Sequence, residues 1–330
     1  MGDVILCTPV IDYLRMQHPD CTIDFITATD YAPLFTGDTR LRQVLSYEKN
    51  APHKTINQIK NNAYDKIIDL QNNRRSRALC QATPSKVIGW FDKLHLQRQL
   101  LLRLRIDRYP ARSSVVERYL KAAGALDSIT PAPLKLHPSV YRNGSIEPSL
   151  IPPGFFDKPV LGLAPFAAWK NKVWPTDRFA EVARAYYVKG WHVVILGGAS
   201  ETAAGNALKN TICTTPDSIN DWCISLVGQT SILQSAAVLS RCTALLCGDT
   251  GLCHLARACG IPTAVIYGAT THHFGFFPYG EPAFRIIESR HCCRPCHPHG
   301  GNWCWRVTRP CLNTISAKDV IEELEALVPG

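Results

Sequence analysis

The segment Gly248-Asp-Thr-Gly251 combines small residues with a carboxylate and a hydroxyl at the point where an apolar run gives way to a helical pattern. Free backbone N–H groups and the positive end of the dipole at a helix start form an anion-binding site, which would suit a diphosphate. His254 lies one turn further along the same helix. In the alternative interpretation, Asp249 or Thr250 only caps the helix and His254 packs in the interior.

Two more polar side chains follow other apolar runs of the same half of the chain. Lys172 lies in the loop after one such run. Because the carboxyl ends of neighbouring parallel strands share one edge of a sheet, we expect Lys172 beside Asp249, where it would neutralise a phosphate. Glu201 follows Gly197-Gly198 and could accept a hydrogen bond from a ribose. The alternatives are a solvated lysine and a glutamate in the first turn of a helix.

A third position for chemistry is Asp3, which follows Gly2 and precedes a helical pattern from Thr8 to Gln17. The strand-to-helix corner of the first half faces the same cleft, so this carboxylate could act as a general base. The alternative is an ordinary aspartate at a helix start. The residues alone favour the second interpretation.

Five of the fourteen cysteines lie within twenty residues near the C-terminal end, and three histidines lie in this stretch or directly before it. Four thiolates with the spacing of Cys293, Cys296, Cys304 and Cys311 can close a tetrahedral zinc site, and reduced structural cysteines are the alternative. The fifth is Cys292. The other nine are scattered, mostly within apolar runs, as expected of reduced thiols that act as small core hydrophobes.

The elements that must position these residues alternate regularly in the second half of the chain. The predicted strands are 160–165, 192–197, 244–247 and 262–268. The predicted helices begin at Thr176 as N-cap, at the capping box Ser231-x-x-Gln234 and at Gly251, and a last helix covers 317–327. Such alternation predicts a parallel sheet with helices on both faces.

The first half shows the same alternation less clearly. Its predicted elements are a helix at 8–17 and strands at 22–27, 66–70 and 86–90. The stretch 137–159 is rich in Pro, Gly, Ser and Asn with little periodicity, which is typical of a linker. We therefore place a boundary near residue 150 and expect two α/β domains that face each other across a cleft.

Composition and charge narrow the possible functions. The 330 residues are 46% hydrophobic, and of the net charge of +9 most belongs to residues 1–155, which hold 21 basic and 14 acidic side chains. This excess predicts an anionic partner: nucleic acid, a membrane surface or a phosphorylated substrate. Without a Gly-x-Gly-x-x-Gly after a strand or a Walker A loop, nicotinamide dehydrogenases and P-loop NTPases lose their main support. We find no signal peptide or membrane-length apolar run and expect a soluble, cytoplasmic protein.

Seven segments together carry a resemblance to a known family. In chain order they are Gly2-Asp-Val4, 69–76, 117–120, Lys172-Val-Trp-Pro175, Gly197-Gly198, Leu226-Val-Gly228 and Asp249-Thr-Gly-Leu-Cys-His-Leu-Ala256. As an ordered set they resemble the ADP-heptose:lipopolysaccharide heptosyltransferases, glycosyltransferase family 9. The cysteine-rich tail is similar to the heptosyltransferase II branch of that family.

The resemblance implies a GT-B architecture, with two Rossmann-like domains facing each other across a cleft. Residues 1–150 would form the acceptor-binding domain, and residues 151–330 would form the nucleotide-sugar-binding domain with its cysteine-rich tail. The implied reaction is an inverting transfer of heptose from ADP-heptose to the inner core of lipopolysaccharide. Neither a cofactor nor a metal is implied for this transfer, so we expect none.

The resemblance also implies roles for individual residues. Asp3 would take the proton from the acceptor hydroxyl. Lys172 and the helix start at Thr250-Gly251 would hold the ADP leaving group. The remaining donor-site residues would be Asp249, His254 and Glu201, with Ser200 as an equal candidate for the position near the ribose.

The implied acceptor is an acidic glycolipid at the inner face of the inner membrane. Such an acceptor would explain the excess of basic side chains in the first half of the chain. Arg74, Arg75 and Arg77 would bind its anionic groups. The candidates for peripheral contact with the membrane are Arg98, Arg103, Arg105, Arg108 and Arg112. The alternative for the second group is a solvated basic surface. The same reasoning disfavours nucleic acid as the partner.

The sequence departs from the family at its start. Members begin with an apolar strand before the Gly-Asp pair, whereas here Met1 immediately precedes Gly2, so we expect the first strand of the sheet to be missing and activity to be in question. Besides nucleic-acid binding by the basic half, two alternatives in function stay open. One is a family 9 transferase with another donor or acceptor, and the other is a non-catalytic protein that binds a nucleotide sugar or a glycolipid.

Overall fold

The structure, a computed structural model, describes residues 1–111, 113–126, 132–143, 146–213 and 221–328. Arg112, one of the membrane-contact candidates, lies outside these residues. Within the described ranges, no helix has both the length and the apolar character needed to cross a bilayer.

The C-terminal half is built around one parallel sheet of six strands in the order β10-β9-β8-β5-β6-β7. The strands are β5 Val160–Ala164, β6 His192–Ile195, β7 Cys223–Ser225, β8 Ala244–Gly248, β9 Thr263–Tyr267 and β10 Phe284–Glu288. The central strands β5, β8 and β9 are buried along their whole length. Helices cover both faces, which is why these strands read as continuous apolar runs rather than as alternating patterns.

Six helices accompany this sheet. They are α8 Thr176–Val188, α9 Thr202–Ile212, α10 Ile232–Leu239, α11 Gly251–Ala258, α12 Pro310–Asn313 and α13 Ala317–Leu327. The predicted capping box of Ser231 and Gln234 is confirmed. Thr176 was expected as an N-cap, but it is the first helical residue, and Pro175 occupies the cap position without a side-chain hydrogen bond. The proline ring fixes the turn into α8 there, so no hydroxyl cap forms.

In the N-terminal half the strands form two separate parallel pairs, β1 with β2 and β3 with β4. They are β1 Asp24–Ala28, β2 Gln43–Tyr47, β3 Lys66–Asp69 and β4 Lys86–Trp90. The helices are α1 Gly2–Ile5, α2 Thr8–Gln17, α3 Pro52–Asn62, α4 Arg74–Gln81, α5 His95–Leu104, α6 Val115–Ala122 and α7 Ser139–Asn143. The predicted α2, β3 and β4 are confirmed within one residue.

Three strands were not predicted. β2 and β10 each carry polar side chains among their five residues, and β7 has only three residues, so their hydrophobic signal is short or interrupted. The expected linker 137–159 is also more ordered than its composition indicates. It holds α7 and turns of 3₁₀ helix at Pro148–Leu150 and Phe155–Asp157, and both Val140 and Phe155 are buried.

The two halves share an apolar core. Helix α1 of the N-terminal half packs directly on α11 of the C-terminal half, and α7 packs on α10. The hydroxyl of Tyr141 donates to the carbonyl of Ala258 at 3.0 Å. The N–H of Val115 donates to the carbonyl of Gly275 at 2.9 Å. These contacts bring the start of the chain onto the helix that follows β8.

Candidate functional site

The centre of the candidate site is an ion pair between two loops that follow neighbouring strands. Nζ of Lys172, after β5, lies 2.6 Å from Oδ2 of Asp249, after β8. The hydroxyl of Thr270, after β9, donates to the same oxygen at 2.8 Å. The expected proximity of Lys172 and Asp249 is confirmed, because parallel strands deliver their following loops to the same edge of the sheet.

The start of α11 offers unsatisfied polar groups beside this ion pair. Thr250 occupies the N-cap position with an extended backbone, but neither its side chain nor that of Asp249 caps the helix. Among the described residues, Oγ1 of Thr250 and Nδ1 of His254 are buried without a hydrogen-bond partner. Buried polar groups normally have a partner, so these two atoms and the free N–H groups of the helix start mark a place for a polar ligand.

His254 is one of the residues through which the two halves contact each other. Burial lowers the pKa of its imidazole to about 4, so the ring is neutral near pH 7. A Cβ added to Gly2 would lie only 2.7 Å from Cδ2 of His254. Only glycine therefore permits this approach, which explains the small residue that precedes Asp3.

Asp3 is one residue from this contact. Its side chain is exposed, yet the surrounding protein removes enough water to raise the pKa of the carboxyl group. The N-terminal ammonium, His299 and Lys93 oppose this shift with their positive charge, but they do not cancel it. A reachable carboxylate with a raised pKa is a suitable general base.

The segment 291–309, which we call the cysteine-rich loop, supports the lysine loop from outside. The N–H of Gly301 donates to Oδ1 of Asn171 at 2.7 Å, and the N–H of Asn171 donates to the carbonyl of Gly301 at 3.0 Å. A Cβ on Gly300 would lie 2.6 Å from Cδ of Lys172. The loop thus fixes the stem of the lysine that the sequence placed in the donor site.

Arg294 of the same loop was not singled out from the sequence. Its guanidinium donates to the carbonyls of Gly268 at 2.6 Å and Thr270 at 2.9 Å, and it pairs with Glu288 at 2.7 Å. It therefore holds the segment after β9 that presents the Thr270 hydroxyl to Asp249. Nothing in the irregular pattern of Pro, Cys and Arg around it distinguishes it, because its partners are mostly backbone carbonyls from another part of the chain.

Glu201 has a structural contact that matches the plainer interpretation. Its Oε2 accepts from the N–H of Gly198 at 2.7 Å at the entry to α9. Gly198 lies in the loop after β6, the strand beside β5. A contact between Glu201 and a ribose stays a prediction.

The three arginines expected to bind the acceptor lie on α4. Arg74, Arg75 and Arg77 are all exposed, and the side chain of Asn73 caps the helix. Arg77 donates to Oδ1 of Asn72 at 2.8 Å and lies over the ring of Trp90. Arg74 and Arg75 therefore remain the more available of the three for an anionic group.

The arginines expected at the membrane differ in their exposure and in their contacts. Arg103 and Arg108 are exposed, whereas Arg98 is partly buried, donates to His95 and contributes to the lowered pKa of His299. Arg105 donates to the carbonyls of Cys292 and Cys293, so its guanidinium is tied to the cysteine-rich loop. Contact of these arginines with a membrane stays a prediction, and Arg98 is the least exposed of those that the structure describes.

The zinc alternative finds no support in the part of the chain that the structure describes. There, no group of three or more Cys, His, Asp or Glu side chains is arranged to hold a metal ion. Cys293 and Cys311 are buried, whereas Cys296 is exposed and Cys304 is half-buried. Burial raises the pKa of the Cys311 thiol to about 11, as expected of a reduced structural cysteine.

Comparison with solved structures identifies the fold. The chain superimposes on a structure titled E. coli ADP-heptose lps heptosyltransferase II with a TM-score of 0.74 and 22% identity, over 99% of this chain and 95% of that chain. This likeness, together with the possible anion site at the start of α11, defines the class: a GT-B fold with two α/β halves. A family model described as glycosyltransferase family 9 (heptosyltransferase) matches residues 53–299. The chain belongs to glycosyltransferase family 9, and it is a glycosyltransferase.

Curated relatives agree with this assignment. The chain is 25% identical over 346 aligned positions to lipopolysaccharide heptosyltransferase 2 of Escherichia coli K12, which covers 99% of this chain and 96% of the relative. It is 23% identical over 300 aligned positions to lipooligosaccharide heptosyltransferase 2 of Haemophilus influenzae. That alignment covers 83% of this chain and 82% of the relative.

Proposed function

We propose that this transferase moves heptose from ADP-heptose to the inner core of lipopolysaccharide. The names of the relatives support the donor and the acceptor. The observation that carries the proposal is the contact of Gly2 with His254, which brings a carboxylate of one half close to the anion-ready helix start of the other. We assign acceptor binding to residues 1–150 and nucleotide-sugar binding to residues 151–330.

Donor binding uses the groups around α11. A diphosphate at the helix start would accept from the N–H of Gly251 and from the hydroxyl of Thr250. Lys172 would exchange its pairing with Asp249 for the phosphate oxygens, while Asp249 keeps the hydrogen bond from Thr270. These groups would stabilise the negative charge that develops on ADP as it departs. We expect the reaction to need no cofactor besides the donor substrate.

Transfer would be a single displacement. Asp3 would accept the proton of the acceptor hydroxyl while its oxygen attacks the anomeric carbon of heptose. The bond between that carbon and the β-phosphate oxygen breaks, and ADP leaves from the opposite face with inversion at the anomeric carbon. The raised pKa of Asp3 brings its basicity closer to that required near neutral pH.

The acceptor side of the proposal is electrostatic. Arg74 and Arg75, with Arg77 beside them, would bind anionic groups of the lipopolysaccharide core. A lipid-linked acceptor also implies a protein at the cytoplasmic face of the inner membrane, held there by peripheral contact. A second candidate, a family 9 transferase with another donor or acceptor, has no observation in its favour.

Calorimetric titration with ADP-heptose tests the donor site, with ADP-glucose and UDP-glucose as comparison ligands. Lys172→Ala should weaken binding by roughly 10- to 100-fold, the range for hydrogen bonds to charged groups. Asp249→Ala should also weaken it, because the carboxylate orients Lys172 and Thr270. Lys170→Ala is the matched control, since this exposed lysine on the same loop lies outside the ion pair. Absence of nucleotide-sugar binding by the folded wild type would refute the proposal.

A further inference from the structure

Two segments that Arg105 connects expose apolar side chains and arginines at the surface. Three belong to the cysteine-rich loop: Trp303 is 74% exposed, Trp305 54% and Val307 81%. Two lie at the end of α5: Leu104 is 62% exposed and Ile106 42%. We call these five residues, with Arg103, Arg108 and Arg306, the apolar–basic patch.

Direct contacts join the two parts of the patch. Arg105, which lies between Leu104 and Ile106, donates to the carbonyls of Cys292 and Cys293 at 3.2 and 3.1 Å. Arg306 approaches Sγ of Cys292 at 3.7 Å, and its guanidinium lies 4.6 Å from the ring centre of Trp305. Arg105 thus ties the end of α5 to the start of the cysteine-rich loop, and Arg306 ties that start to Trp305, although the two segments come from opposite halves of the chain.

The surrounding segments carry mostly positive charge. Residues 93–111 contain five basic side chains and one acidic side chain, Asp107, which pairs with His273. Residues 290–309 contain four arginines and no acidic side chain. Tryptophan and arginine on an exposed apolar surface are the combination that suits the interface of an anionic bilayer, where indole rings lie at headgroup level.

The patch is continuous with the loop that carries Lys172. Arg309 donates to the carbonyl of Lys170 at 3.0 Å, and Trp303 and Val307 line a groove together with Lys170 and Val173. A surface that meets lipid here would therefore place the lysine loop close to the bilayer, where a lipid-linked acceptor is found.

We propose that the apolar–basic patch docks this protein on an anionic lipid surface, with Trp303 and Trp305 inserted at headgroup level. The inference rests on the peripheral membrane contact in the proposed function. It assigns that contact to a different part of the surface. The anchor combines the end of α5 with the cysteine-rich loop of the C-terminal half, instead of using basic side chains of the N-terminal half alone.

Vesicle sedimentation tests the patch without any acceptor or donor. Vesicles of phosphatidylethanolamine with phosphatidylglycerol should bind the protein, and vesicles of phosphatidylcholine alone should bind it weakly. The double variant W303S/W305S should lose at least about tenfold in binding. Arg306→Gln should lose about fivefold and lessen the salt dependence. Val188→Ser, which changes a side chain that is 85% exposed elsewhere, is the matched control and should bind like wild type.

A second readout separates lipid docking from charge alone. Brominated acyl chains should quench part of the tryptophan fluorescence of wild type and none of the corresponding signal of W303S/W305S. The inference is overturned if folded wild type ignores the anionic vesicles, or if W303S/W305S binds them as well as wild type. Calorimetry of ADP-heptose binding by the same variant reports separately on the proposed function, and we expect it to be unchanged.

Discussion

Asp3 loses hydration without gaining a strong cationic partner. Burial raises the pKa of its carboxyl group, so folding favours the protonated form. The stability that this group contributes is present below its ordinary pKa of 3.8 and is lost as the pH rises through the folded pKa. At neutral pH the ionised carboxylate therefore destabilises the fold, as is common for groups that a reaction requires.

Asp3→Asn should lower the turnover number by about 10²- to 10⁴-fold, because the general base is lost. The same change should raise the melting temperature at pH 7, since it removes a charge that the surrounding protein partly desolvates. Activity assays with ADP-heptose and thermal denaturation measure the two effects. Binding of ADP-heptose is the control and should be unchanged. A variant with wild-type turnover would exclude Asp3 as the base.

From the lowered pKa of His254 we expect a second effect of pH on the stability of the fold. Its folded pKa of about 4 lies below the ordinary value of 6.5, so the unfolded chain takes up a proton first as the pH falls. The stability from this group is therefore present above pH 6.5 and is lost towards pH 4, up to about 3 kcal/mol. Urea denaturation across this range should show the decline, and His254→Gln should flatten it. An unchanged slope in the variant would assign the decline to other groups.

At the scale of elements, α1 packs closely on α11 because Gly2 has no side chain at the contact. Gly2→Ala would place a methyl group 2.7 Å from Cδ2 of His254. Overpacking of this kind costs about 1–3 kcal/mol, and it should also reduce transfer activity because it displaces Asp3. Denaturation midpoints and turnover measure both effects.

The double variant Gly2→Ala with His254→Ala tests the mechanism of that loss. Removing the imidazole makes room for the methyl group, so the two changes should cost less together than the sum of the single changes. Gly198→Ala is the control, since its nearest neighbour would be an ordinary contact at 3.7 Å. Strictly additive effects would show that the two helices do not press on each other at this point.

At the scale of the whole molecule, Arg118 links the two halves from a buried position. The guanidinium donates to the carbonyl of Phe274 in the C-terminal half at 2.7 Å and to that of Asp92 in the N-terminal half at 3.2 Å. The side chain also lies over the ring of Phe91. Burial lowers the pKa of this arginine, so its charge is retained at an energetic cost that the two carbonyls partly offset.

Arg118→Ala should lower the unfolding free energy by about 1–3 kcal/mol, because it removes the donor to buried carbonyls. We also expect it to broaden or split the single calorimetric transition that a shared core predicts for wild type. Lys121→Ala, an exposed change on the same helix, should stay within about 0.5 kcal/mol of wild type. Equal midpoints for the two variants would contradict a linking role for Arg118.

The local pattern of the sequence was sufficient for most of the C-terminal half. Strands β5, β8 and β9 are continuous apolar runs, and α10 and α13 begin at capping residues, so their signals lie within a few residues of each other. The placement of Lys172 beside Asp249 followed from the rule that parallel strands end at one edge. The motifs of the family could be recognised for the same reason, because each is short and local.

Only the tertiary structure decided which distant segments complete the site. The contact of Gly2 with His254, the support of Lys172 by Gly300 and the hold of Arg294 on Thr270 each join residues far apart in the chain. The division of the N-terminal strands into two pairs and the electrostatic effect of Arg98 on His299 are of the same kind. Such contacts depend on close approach and on backbone carbonyls, which impose no periodicity on the sequence, so three-dimensional packing alone specifies them.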